Sequence, residues 1–197
     1  MKKILLLLIV SLVIITGCNQ SDTSSYLKES TPISKFQSIA DYEIPSNLND
    51  LKNGSTYVVK VKALHELGDD VIDGQVFGSK KKVEIINSYM QDIENDEIVV
   101  IEPAHVQDEE YVSTESYIKM IDGEEYILFL FEGDNENEYG IAALGFGKYS
   151  LERDAEYAEI TSFNTFSDLN EFDFLSNNVE EVTLYEVIKA EILKEFN

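Results

Sequence analysis

The longest apolar run in this chain is too short to cross a bilayer, and it leads directly to the only cysteine. Residues 4–15 are aliphatic at every position but Ser11. As a helix they would rise about 18 Å at 1.5 Å per residue, whereas a hydrocarbon core of about 30 Å needs roughly 20 apolar residues. Lys2 and Lys3 precede the run, and Thr16 and Gly17 separate it from Cys18. A short basic segment, an apolar stretch of this length and small residues at its end describe an export signal, not a membrane span. With Cys18 alone, no disulfide can form within one molecule. Whatever follows must fold on its apolar core.

The tetrad Ile15-Thr16-Gly17-Cys18 resembles a lipobox, the aliphatic, small, small, cysteine motif of bacterial lipoproteins. The resemblance implies that Cys18 receives a diacylglyceryl group and that residues 1–17 are then removed. Two acyl chains hold a protein stably where one is marginal, at about 0.8 kcal/mol per buried CH₂. The expected organisation is a signal peptide over 1–17, an acylated cysteine and flexible tether over 18–34, and one acidic globular domain over 35–197. The expected location is the extracytoplasmic face of a cell membrane, with the bilayer itself a partner through the acyl chains on Cys18.

Charge narrows the other partners. The chain has 38 acidic and 15 basic residues, a net charge of −23. Nucleic-acid affinity depends on Lys and Arg neutralising phosphates, and anionic lipid heads also repel such a surface. Nucleic acid is therefore not an expected partner. Cations, a basic peptide or an envelope protein suit this field better.

The body reads as mainly β, in the α+β sense. Residues 55–64 alternate, with Tyr57, Val59, Val61 and Ala63 on one face and Val58, Lys60 and Lys62 on the other. A second strand is expected over 76–89, after an acidic loop that closes on the turn pair Asp73-Gly74. Glu97 to Glu102 is a third, ended by Pro103. Residues 126–131 form the most hydrophobic stretch and suit a central strand buried on both faces. Short strands are expected over 139–144 and 145–151, then an irregular connection over 162–178. Near the end, Thr183 and Glu186 fit a capping box. Leu184, Ile188 and Ile192 continue it as an amphipathic helix of about 13 residues. These elements predict a small curled sheet or an OB-like β-barrel, with the helix packed against it. Segments such as Tyr57-Val58-Val59-Lys60-Val61 and Gly147-Lys148-Tyr149 resemble exported Gram-positive domains of OB-like build, a resemblance that implies no activity.

Chemistry-bearing motifs are few. Only His65 and His105 are available as bases, each expected on a loop, and no Gly-x-Ser-x-Gly elbow occurs. Zinc would need clustered His or Cys. Calcium is the better candidate ion, because Asp134, Glu136 and Glu138 alternate as at the start of an EF-hand loop. That pattern then breaks, with Tyr139 in place of the turn glycine and Gly145 in place of the closing glutamate. Asp69, Asp70 and Asp73 make a looser set. Lys80, Lys81 and Lys82 form the one basic cluster, suited to an interaction patch or to guarding an edge strand. No catalytic residue set emerges. The function expected is a membrane-tethered, non-enzymatic binding module. The alternatives are an envelope hydrolase or accessory factor, and an inhibitor acting on an envelope protein.

Overall fold

The computed structural model describes residues 27–196. The signal, Cys18 and residues 19–26 of the expected tether lie outside those residues. Among the described residues, ten strands run β1 (Tyr57–Ile72), β2 (Gln75–Met90), β3 (Glu97–Glu102), β4 (Ala104–Gln107), β5 (Glu110–Ser113), β6 (Glu125–Glu132), β7 (Glu138–Ile141), β8 (Lys148–Ser150), β9 (Asp154–Tyr157) and β10 (Phe172–Ser176). A short helix α1 (Leu48–Asn53) precedes them and a long helix α2 (Val179–Phe196) ends the chain.

Six strands form one sheet in the order β1-β2-β3-β7-β6-β8, and β1 pairs also with β6. All its pairings are antiparallel except β3 with β7. The sheet is strongly curled. Of the two architectures expected, a curled sheet and a closed barrel, the curled sheet is the one formed; the ladders joining β7 to β3 and to β6 span three residue pairs each. The β4–β5 hairpin and the parallel β9–β10 pair stand outside it. Among the described residues, no helix is long and apolar enough to cross a membrane.

Alternation explains why the sheet has two cores. Along β6, Tyr126, Leu128 and Leu130 point into the curl, where they meet Val59, Val61, Val83, Ile98 and Val100. Ile127 and Phe129 point outward and meet Val58, Tyr149 and the α2 side chains Tyr185, Ile188 and Ile192. The continuous apolar run of β6 is thus two half-sets facing two covers.

Several expected boundaries move. The tether does not extend to residue 34. Ile33 is buried, its N–H donates to the Asn164 carbonyl at 2.9 Å, and the Tyr111 N–H donates to the Pro32 carbonyl at 2.8 Å. Helix α2 begins four residues before Thr183. Its true cap is Asn178, whose Oδ1 accepts from the Glu180 N–H at 3.0 Å, while the Thr183 hydroxyl donates back to the Val179 carbonyl. The buried stripe of α2 accordingly runs Tyr185, Ile188, Ile192 and Phe196. Residues 144–147 form a 3-10 turn before β8. The connection expected to be irregular contains β10.

Candidate functional site

Both long strands continue past the body. Strand β6 pairs with β1 only over 57–62, and β3 pairs with β2 only over 79–84. Residues 67–78 therefore form a two-stranded arm whose ladder is internal. The sequence places an acidic, glycine-bounded loop over 68–74 and a strand only from Val76. In fact β1 runs on to Ile72, and only Asp73 and Gly74 make the turn, both at positive φ (51° and 79°). That geometry suits a two-residue hairpin loop of matching twist.

The arm exposes hydrocarbon. Every residue over 71–77 is exposed, and Leu67, Val71, Ile72 and Phe77 are each 47–55% accessible. Two of these side chains are set out by bulges. Glu66 pairs with Lys81 and Gly68 with Lys80, which leaves Leu67 as the extra residue on β1. Asp70 pairs with Gly78 and Val71 with Val76, which leaves Phe77 as the extra residue on β2. A bulge bends its strand and re-aims a side chain. Gly68, at φ +124°, supplies the backbone conformation that one of them uses.

At the root of the arm lies a hollow of about 440 Å³, lined by His65, Glu66, Lys81, Asp122, Phe166 and Asn170. Its charges are internally matched. Lys81 pairs with Asp122. Glu66 lies 2.9 Å from the ammonium of Lys119, which is itself buried, although out of line for a hydrogen bond. The Asn170 Oδ1 is buried with no hydrogen-bond partner among the described residues. A second hollow of similar size lies away from the arm, between α1 and residues 42–46.

The lysine run is dispersed by the sheet. Lys81 is buried, and Lys80 and Lys82 flank it in register. Lys80 pairs with Glu138 at 2.6 Å and with Asp70 at 3.7 Å, and Lys82 pairs with Glu97 at 2.5 Å. None of the three stands as a free cation, and β2 is an interior strand of its sheet, so an edge guard is not their role.

The acids fare similarly. Burial would raise the Glu138 carboxyl, but hydrogen bonds from Lys80 and Asn135 outweigh it and hold that group below the ordinary glutamate value. The same hydrogen bond raises the Lys80 ammonium above its ordinary value. Among the described residues, no three His, Asp or Glu side chains converge as a metal site requires. Asp134 and Glu136 thus sit on the turn before β7 without joining Glu138 in a cage, and Asp70 is turned toward Lys80.

The two histidines occupy strands, not loops. His65 is exposed within β1, opposite Lys82. His105 is buried in β4, and its Nε2 has no hydrogen-bond partner among the described residues.

One buried charged group escaped sequence reasoning altogether. Lys148 on β8 donates to Asp173 Oδ1 on β10 at 2.6 Å and to its carbonyl at 3.2 Å, with both side chains at most 2% exposed. The other carboxylate oxygen of Asp173 accepts from the Ser150 N–H at 2.6 Å and from the Tyr185 hydroxyl. The ammonium of Lys148 also lies 5.2 Å from the Tyr126 ring centroid and 5.7 Å from that of Tyr117. This network ties β8, β10 and α2 together. Its atoms are occupied with one another and closed to a ligand, so it supports the fold. No signal in the sequence pairs residues 25 apart in this way.

No family model matches the chain, and no curated protein matches it.

Proposed function

We propose that this chain is an extracytoplasmic lipoprotein, anchored through Cys18, whose acidic β domain is a non-enzymatic binding module that engages a partner through the arm. The observation that carries the binding reading is the arm itself: large apolar side chains held in solvent on a paired, twisted ribbon. A stable domain gains nothing from exposing such a surface, and contiguous exposed apolar surface marks interaction sites. The anchor supports the reading from the other end, because a tether at Cys18 holds the arm close to the proteins of the envelope.

Two measurements test it. Cys18→Ser should abolish lipid-dependent processing and release the chain from the membrane fraction; equal processing and retention would remove the anchor. For the arm, a photo-reactive residue at position 77 of the full chain should give a discrete adduct in intact envelopes. The same residue at exposed Val187 on α2 should not. Adducts at both positions, or at neither, would remove the arm as the binding face.

A further inference from the structure

The arm offers more than hydrocarbon. Residues 67–78 include three acids, Asp69, Asp70 and Asp73, and no Lys or Arg. Asp70 is paired with Lys80. Asp69 and Asp73 make no ion pair among the described residues, and Asp73 stands at the exposed tip. The exposed hydrocarbon of Leu67, Val71, Ile72 and Phe77 is therefore edged by uncompensated negative charge, on a chain whose net charge is −23.

Three kinds of occupant could cover such a surface, and charge separates them. A second copy would bring the same acids to the same apolar ribbon, and like charges set face to face oppose association. An anionic lipid surface would repel Asp69 and Asp73 within a Debye length of about 10 Å. A protein segment with an apolar face bordered by Lys or Arg meets both demands at once. Its hydrocarbon covers one face of the ribbon, and its cations meet the carboxylates.

We infer that the arm is a docking site for a cationic amphipathic segment of a partner protein, with Val71 and Phe77 as apolar anchors and Asp69, on the same face of β1 as Val71, and Asp73 at the turn as its charge readers. This rests on the binding-module reading above and adds the chemistry of the partner. The bulge at Phe77 re-aims that anchor. The internal pairing of the arm, closed by the Asp73-Gly74 turn, holds it in shape before the partner arrives, which lowers the ordering cost of binding. Steering by the acidic field gives the encounter its salt dependence.

The chain has no Trp, so Phe77→Trp places a single indole at the tip as a local reporter. The full chain carrying that change, held in nanodiscs of zwitterionic lipid, is titrated with three synthetic peptides. One is a Leu/Lys amphipathic helix, one a Leu/Glu helix of the same pattern, and one a Lys-rich peptide without an apolar face. The Leu/Lys peptide should shift the indole emission to the blue and bind at least about tenfold more tightly than either of the others. Raising the salt from about 0.05 M to about 0.5 M should weaken it severalfold. Asp69→Asn with Asp73→Asn should lose most of the preference over Leu/Glu. Val71→Ser with Ile72→Ser should weaken binding about tenfold while near-ultraviolet circular dichroism stays unchanged.

Equal binding of the Leu/Lys and Leu/Glu peptides, still abolished by Val71→Ser with Ile72→Ser, overturns the charge inference and leaves the arm as a binding face. Binding of Leu/Lys that is indifferent to the serine changes overturns both. A blue shift on adding phosphatidylglycerol vesicles alone assigns the arm to a lipid surface. A concentration-dependent shift without peptide assigns it to a second copy. Either of those results also overturns the inference.

Discussion

The body and the arm invert each other. In the body, Lys148 and Asp173 are sealed from water at the junction of β8, β10 and α2, beside the rings of Tyr126 and Tyr185. On the arm, Val71, Ile72 and Phe77 stand in water. Burying charge and exposing hydrocarbon both oppose folding, yet only the first is compensated among the described residues. Both carboxylate oxygens of Asp173 are occupied and the ammonium of Lys148 is matched, so the buried pair is a solved problem of the fold. The exposed ribbon has no such answer among the described residues. That asymmetry is what the interaction reading of the arm rests on.

The largest test of the contrast is alkaline pH, because the body buries phenols and the arm has none. Burial, with nearby Glu102, pushes Tyr111 and Tyr117 well above the ordinary tyrosine value. Burial, with Asp173, does the same to Tyr149 and Tyr185. These pKa values are raised in the folded state, so the unfolded chain loses its phenolic protons first as pH climbs. Their stabilisation is complete below about pH 10 and is lost above it, at about 1.4 kcal/mol per pH unit for each phenol that stays protonated when folded. Thermal melts should hold steady from neutrality to about pH 10 and collapse over the next one to two units. A melting temperature that stays flat to pH 12 would show that these hydroxyls reach water.

Next in size is the ion pair. Asp173→Ala leaves the Lys148 ammonium buried without its counter-charge and strips an acceptor from the Ser150 N–H. The expected loss is about 3–5 kcal/mol in urea unfolding. Tyr185→Phe removes only one hydroxyl from the same carboxylate and should lose about 1–2 kcal/mol. Should Asp173→Ala unfold at nearly the native urea midpoint, water must enter the junction, and the contrast between a sealed body and a wet arm weakens.

How much of this was legible beforehand depended on whether a residue's environment is written in its neighbours. The class of fold was, because Val59, Val61 and Ala63 alternate and because the 126–130 run is wholly apolar, as a strand covered on both faces must be. The Asp73-Gly74 turn was legible for the same local reason. The β1 side of the arm, over 68–74, reads as a loop, since a ribbon exposed on both faces has no buried side to impose a period of two, while the β2 side from Val76 onward reads as strand. Lys80-Lys81-Lys82 reads as one basic cluster, but period two drives the middle residue inward, where Asp122 meets it, a contact made 41 positions away. Strands β9 and β10 pair in parallel across a long connection, so neither contains the other's signal. Thr183 and Glu186 had the spacing of a cap, but Ser176 and Asn178 bind both carboxylate oxygens of Glu181 and start the helix earlier.

The smallest expected effect is the most informative about the arm. Phe77→Ser removes a large ring, and in the body an equivalent truncation would cost about 3–5 kcal/mol. On the arm the ring is already half in water and occupies the unpaired position of a bulge, so it contributes neither a ladder hydrogen bond nor a filled cavity. The urea midpoint should therefore move by less than about 0.5 kcal/mol equivalent, as for an ordinary surface change. Leu67→Ser, at the other bulge, should behave alike, and the pair should add without coupling if the two side chains do not share a buried contact. A loss above about 2 kcal/mol for Phe77→Ser would mean that the ring is covered in solution. The arm would then be folded against the body, and its hydrocarbon would belong to stability after all. A null effect on stability joined to a loss of peptide binding separates the two regions on one residue, because a side chain that does nothing for its own fold and much for a partner is an interaction residue by measurement.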